Sequence, residues 1–141
     1  MVRKEFIKNK IELIEEDLQK LSAYKYDLFE DIAKDFIKLN VVERLLEKII
    51  MRAIDINEHI FSELSNGSEK RPTYKETFLN LADLKICPRE FAEEISKSAG
   101  LRNALIHDYD DINIGTVYSS IGDALKQYHK YCKYLLDFIS R

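Results

Sequence analysis

From Phe29 to Leu64 the chain carries no proline or glycine, while Phe29, Ile32, Phe36, Leu39, Leu46, Ile49, Ala53, Ile56, Ile60 and Leu64 recur mostly at steps of three and four. Such a rhythm places apolar side chains along one stripe of an α-helix, and the stripe has to be buried against another element. The segment reads as one long helix, or as two with a break near Asn40. Ile7, Ile11, Ile14, Leu18 and Leu21 form a second stripe. Ile114, Val117, Ile121, Leu125, Tyr128, Cys132, Leu135 and Ile139 form a third. No strand-like alternation and no internal repeat competes with them. The architecture these stripes demand is all-α, an antiparallel bundle of about five helices.

Local signals punctuate the bundle. Asn66-Gly67 tolerates the left-handed backbone that ends a helix, and Ser68 to Pro72 reads as a loop. Thr73 and Glu76 have capping-box spacing, so a short helix is predicted from there to about Leu84. Cys87-Pro88 restarts the chain, because proline tolerates the first helical position. The helix it opens leads directly into LRNALIHDYD at positions 101 to 110, where Leu101, Leu105 and Ile106 read as the buried side. Asn113 is the expected cap of the closing helix.

Composition bounds the function. At 141 residues, 45% hydrophobic and 33% charged, the chain is predicted to form one domain over residues 1–141 and lies far from the composition of disorder. Its net charge of -3 gives no overall attraction to nucleic acid, so an RNA contact would need a local basic patch. Two distant cysteines, Cys87 and Cys132, suit a reducing cytoplasm better than a disulfide framework. Charges interrupt the apolar residues of MVRKEFIKNKIELIEEDL, unlike a signal peptide or membrane span. The expectation is a soluble cytoplasmic protein without membrane association.

Few residues are available for chemistry. Asp55, His59 and Glu63 share a helical face at steps of four, but a hydrogen-bonded histidine explains His59 better than a metal ligand, and paired Glu-x-x-His motifs are missing. His129, among Lys126, Lys130 and Lys133, reads as a solvated surface residue. There is no glycine-rich phosphate loop and no G-x-S-x-G elbow. Neither a metal nor a cofactor is predicted.

Arg102, Asn103, His107 and Tyr109 remain. Asn103 and His107 are four apart, so a helix stacks the amide near the imidazole, where it could orient the ring. Arg102 and His107 are five apart, which turns them about 140° from each other, a gap the long arginine partly closes. An imidazole that exchanges protons near neutral pH beside a permanent cation suits phosphodiester cleavage without a metal. The spacing alone says little, since Arg52 and His59 offer a similar one.

The setting says more. R-N-A-L-I-H-D-Y resembles the R-N-x-x-x-H-x-Y signature of the HEPN superfamily, specifically of HepT-like toxins encoded with a minimal nucleotidyltransferase antitoxin, or MNT. VVERLLEKIIMRAIDINEHI at positions 41 to 60 is similar to that family's long second helix, and RPTYKETFLNLADL at 71 to 84 to its loop and third helix. The lead-in AGLRN and the following DINIGTVYSSI match in order and spacing, so the likeness runs from Val41 to Ile121.

The resemblance implies a metal-independent endoribonuclease, the toxin of a type II toxin-antitoxin system, acting as a homodimer whose two motifs meet in a cleft. By position, Arg102 and His107 would be the catalytic pair, with Asn103 a polar helper. Tyr109 would be the residue to which the nucleotidyltransferase transfers AMP. The acidic run Asp108 to Asp111 departs from what an RNA-binding surface favours, because it repels phosphates. A second reading stays open: a non-catalytic helical module that binds the same nucleotidyltransferase partner.

Overall fold

In the computed structural model, which describes residues 1–65 and 70–141, seven α-helices and one 3-10 turn follow one another, and no strand occurs among the described residues. The first helix, α1 (Lys4–Leu21), buries Ile7, Ile11, Ile14, Leu18 and Leu21, the whole of its predicted stripe. A 3-10 turn (Ser22–Tyr24) leads to a short α2 (Phe29–Ala33), and α3 (Phe36–Leu64) is the longest element. The chain continues through α4 (Tyr74–Asp83), α5 (Arg89–Ser96), α6 (Ser98–His107) and α7 (Ile114–Ile139). The predicted helix end at Asn66-Gly67 and the first part of the predicted loop fall on residues 66–69, outside the described residues.

Two of the five predicted helices are divided. The first break lies at Lys34 and Asp35, not near Asn40. Asp35 leaves the helical conformation, and its carboxylate accepts from the amides of Ile37 and Lys38 at 3.0 and 3.1 Å. An aspartate that satisfies two otherwise orphaned amides starts a helix more effectively than an asparagine can stop one. Asn40 instead stays helical and donates its side-chain amide to the Phe36 carbonyl at 2.7 Å. The break also moves Phe29 and Phe36 off the core stripe, leaving them 44% and 76% exposed.

The second break lies at Lys97, between α5 and α6. The hydroxyls of Ser96 and Ser98 donate to the carbonyls of Glu93 and Ile95. The Lys97 and Gly100 amides there reach three residues back instead of four. Serines competing for helical carbonyls favour such a tightened junction.

The capping box is present: Glu76 accepts from the Thr73 amide at 2.9 Å and Thr73 from the Glu76 amide at 3.2 Å. Pro88 precedes the first turn of α5 as its cap. Asn113 caps α7 by accepting from the Thr116 amide at 3.0 Å. A Cβ on Gly115 would lie only 3.0 Å from that capping oxygen, so glycine lets the cap fold over the first turn. At the end of α4, Lys85 takes a left-handed conformation (φ 59), while the amides of Ile86 and Lys85 return to the carbonyls of Leu81 and Ala82. That is the usual helix-ending hydrogen-bond pair, formed without the customary glycine.

Pairs along α1 and α3 run in opposite order: Arg3 meets His59, Lys10 meets Asp55, and Asp17 meets Arg52. The two helices are therefore antiparallel. Their stripes merge with Val117, Ile121 and Leu135 of α7 and with Phe78 and Ile95 in one buried cluster. Each fully buried isoleucine or leucine contributes about 2 kcal/mol against exposure. Inside this core the Tyr131 hydroxyl donates to Asn57 at 2.7 Å, Asn57 donates to Thr77 at 3.3 Å, and Thr77 donates to the Tyr74 carbonyl at 2.6 Å. This relay fastens α7, α3 and α4 together, because each of its polar groups would be costly to bury alone.

Candidate active site at the end of the sixth helix

α6 is the least buried of the longer helices, with Ala99 as its one fully buried residue and Leu101, Leu105 and Ile106 half-buried. Apolar residues at 101 and 105 anchor one side and turn the intervening polar residues outward. Arg102 emerges half-buried toward α3 and α4. Its Nε lies 2.9 Å from the Met51 sulfur, its guanidinium carbon lies 4.9 Å from the centre of the Tyr74 ring, and Nη1 donates to Asn103 Oδ1 at 3.1 Å. Among the described residues no carboxylate pairs with it.

Arg102 and Asn103 are thus brought together, whereas the anticipated Asn103–His107 hydrogen bond does not form: the amide oxygen serves Arg102 instead. His107 is the last residue of α6 and is exposed, with no hydrogen-bond or ion-pair partner among the described residues. The chain then turns, the Asp108 amide bonding to the Ala104 carbonyl and the Asp111 amide to the Asp108 carbonyl. Tyr109 stands on this turn, 67% exposed. This exposure agrees with the polar turn expected from the sequence.

Asp108 and Asp111 line a groove of about 1130 Å³, together with Glu93, Glu94 and Asp123, that excludes Arg102 and His107 from its walls. Tyr128 lies in its floor, donating at 2.7 Å to the Ser98 hydroxyl, whose own proton goes to the Ile95 carbonyl. Burial pushes the Tyr128 hydroxyl well above the usual phenol range, so it stays protonated and serves structure. The carboxylates make this groove unfavourable for phosphate.

The other candidates resolve as structural. His59 Nε2 accepts from the Arg3 amide at 2.9 Å, and its ring packs on Phe6 at 5.1 Å. Asp55 is held by Lys10 at 3.0 Å. His129 lies at the surface 3.3 Å from Glu15. What the sequence did not single out is the pair of walls around Arg102. Met51 and Tyr74 sit 51 and 28 positions upstream, and no local pattern marks either.

With this geometry in place, similarity to known proteins is decisive. The ribonuclease HepT-like family matches residues 14–135. The chain belongs to the ribonuclease HepT-like family. It is 38% identical over 133 residues to a tRNA nuclease HepT of Aphanizomenon flos-aquae, covering 94% of this chain and 89% of that one. It is 24% identical over 127 residues to an mRNA nuclease HepT of Shewanella oneidensis, covering 90% and 93%.

The HepT-like fold is equally clear. A tri-AMPylated Shewanella oneidensis HEPN toxin in complex with an MNT antitoxin superposes with a TM-score of 0.80 at 23% identity, covering 94% of this chain and 97% of that one. YutE of Bacillus subtilis, a cytosolic protein of unknown function, gives 0.83 at 15% identity, with 98% and 91% covered. The all-α reading from the sequence agrees with both. Among the described residues, no helix is long and apolar enough to cross a membrane.

Proposed function

We propose that this HepT-like chain is an endoribonuclease toxin, restrained by an MNT nucleotidyltransferase and acting in the cytoplasm. The observation that carries this reading is a charged arginine without a carboxylate partner among the described residues, five positions before an exposed histidine and seven before an exposed tyrosine. The names of its HepT relatives, a tRNA nuclease and an mRNA nuclease, support RNA as the substrate class.

In this mechanism His107 removes the proton of the ribose 2′-hydroxyl or returns one to the departing 5′-oxygen, and Arg102 stabilises the phosphorane between these steps. The 2′-oxygen bonds to phosphorus as the P–O5′ bond breaks. The products are a cyclic 2′,3′-phosphate and a 5′-hydroxyl, with no metal in the balance. Because one histidine cannot readily act as base and acid at once, two copies meeting at the motif divide those roles between their two His107 side chains. Asn103 acts as the polar helper by holding Nη1 of Arg102.

Control falls to Tyr109. Its exposed phenol attacks the α-phosphorus of ATP in the partner enzyme's site, AMP is joined to the tyrosine oxygen, and pyrophosphate leaves with the phenol proton taken up by a base. The added charge and bulk then obstruct phosphate binding beside Arg102. Expression of wild type and His107→Ala in cells tests the nuclease reading. Growth arrest and RNA cleavage are expected for wild type alone. Equal growth with intact RNA for both would leave the binding-module reading in its place. Intact mass after co-expression with a nucleotidyltransferase tests Tyr109, with AMP increments expected in wild type and lost in Tyr109→Phe.

A further inference from the structure

An arginine on an exposed helix face samples many rotamers, and each phosphate contact it makes has to overcome that freedom. Arg102 does not have this freedom. The Tyr74 ring face 4.9 Å from its guanidinium carbon, the Met51 sulfur 2.9 Å from Nε and the Asn103 oxygen 3.1 Å from Nη1 hold it from three directions. None of these partners is an anion. A carboxylate would fix the side chain as firmly but would compete with phosphate for the same N–H groups. A ring face and a thioether hold it while leaving its charge uncancelled. Nη2 has no partner among the described residues and is left to the substrate.

Tyr74 is itself firmly placed. It follows Thr73, whose capping box with Glu76 starts α4, and its carbonyl accepts from the Thr77 hydroxyl at the end of the buried relay from Tyr131 and Asn57. We infer that Tyr74 is a positioning residue for the catalytic arginine: its ring, with Met51 as the second wall, presets the Arg102 guanidinium for the phosphorane. The kinetic consequence rests on the ribonuclease reading above, but the contact itself does not.

The test compares Tyr74→Phe, Tyr74→Leu and Met51→Leu with wild type, using an RNA oligonucleotide as substrate and 15N-arginine-labelled protein for NMR. Tyr74→Phe keeps the ring and retains wild-type kcat. Tyr74→Leu lowers kcat about tenfold, the scale of a lost cation–π contact, while KM stays within about twofold. In an Arg102→Ala background Tyr74→Leu has no further effect, because the residue it positions is gone. Met51→Leu conserves volume, preserves the fold and gives a smaller kcat loss.

The Arg102 Nε–H signal, assigned by its loss in Arg102→Lys, is ring-current shifted in wild type and Tyr74→Phe and returns to the flexible-arginine position in Tyr74→Leu. A kcat loss that persists in the Arg102→Ala background, failure of Tyr74→Phe to preserve kcat, or an unshifted wild-type Arg102 signal each overturns the inference. Wild-type protein that cleaves no RNA defeats the ribonuclease reading, while the NMR comparison still decides whether Tyr74 holds Arg102.

Discussion

Arg52 and His59 on α3, seven apart, fit the same loose arginine-then-histidine pattern as Arg102 and His107 on α6, five apart, and the fold puts the two pairs to opposite uses. Arg52 pairs with the buried Asp17 and reaches the Leu13 carbonyl, with Lys48 also 3.5 Å from that aspartate. His59 is engaged by the Arg3 amide and Phe6. Both therefore serve the seam between α1 and α3. Arg102 instead meets a sulfur, a ring face and an amide oxygen, and His107 meets solvent. Spacing sets where two groups can stand; whether they remain available for chemistry depends on what other helices bring to them.

The largest expected effect breaks the α6 pair. His107→Ala and Arg102→Ala each reduce RNA cleavage by about 100-fold or more, the usual worth of a positioned proton-transfer group or charge stabiliser. His59→Ala leaves cleavage per folded molecule unchanged, and a gel-based assay on matched amounts of protein separates the two outcomes. A comparable loss in His59→Ala would abolish the distinction drawn between the pairs.

Stability should respond in the reverse sense. Arg52→Ala removes the principal partner of an aspartate that is 2% exposed. It is expected to destabilise the protein by about 3 kcal/mol in urea unfolding, since a buried charge then loses compensation. Arg102→Ala, at a half-buried site without an ion pair among the described residues, should cost about 1 kcal/mol or less. Similar losses for both would mean that Arg102 is structural after all.

A smaller effect sharpens the role of α4 in placing Tyr74. Thr73→Ala removes the side-chain acceptor for the Glu76 amide and should lower stability by about 1 kcal/mol. Glu76 lies below the usual carboxylate range because the Thr73 amide donates to it. A depressed carboxylate stabilises the fold above its unfolded pKa, and that contribution disappears as pH falls through the folded value. Wild type therefore loses an acid-side increment that Thr73→Ala already lacks in part, which unfolding midpoints at neutral and acidic pH would reveal.

The smallest effects concern the core around these pairs. Burial pushes the Cys87 thiol up to about 11 and raises Cys132 as well. Both should resist alkylation in the native protein at neutral pH and react once it unfolds, as mass spectrometry after iodoacetamide would show. With folded pKa values raised, the neutral thiols stabilise the fold below about pH 8.5, and the Cys87 contribution fades between there and about pH 11.

Much of the fold was readable because helices announce themselves locally. The α1 stripe is buried at each of its five positions, the Thr73 box and Asn113 cap form as spaced, and the R-N-x-x-x-H-x-Y segment lies at a helix end. Of the two readings, one long helix or a break near Asn40, neither holds: the break lies at Asp35, because aspartate and asparagine both suit helix starts and only the folded backbone shows which side chain finds free amides. Phe29 and Phe36 matched the stripe by period, yet that break turned them outward.

By itself, then, the sequence determined a bundle of amphipathic helices, its caps, and a motif whose surroundings resemble those of HepT-like toxins. These are properties of neighbours within a few turns of helix, where backbone periodicity controls geometry. Tertiary structure alone decided which arginine and histidine are consumed by packing and which remain free. It joined Asp17 to Arg52 and Met51 and Tyr74 to Arg102 across dozens of residues. Contacts of that kind depend on how stripes dock against one another, which no local pattern encodes.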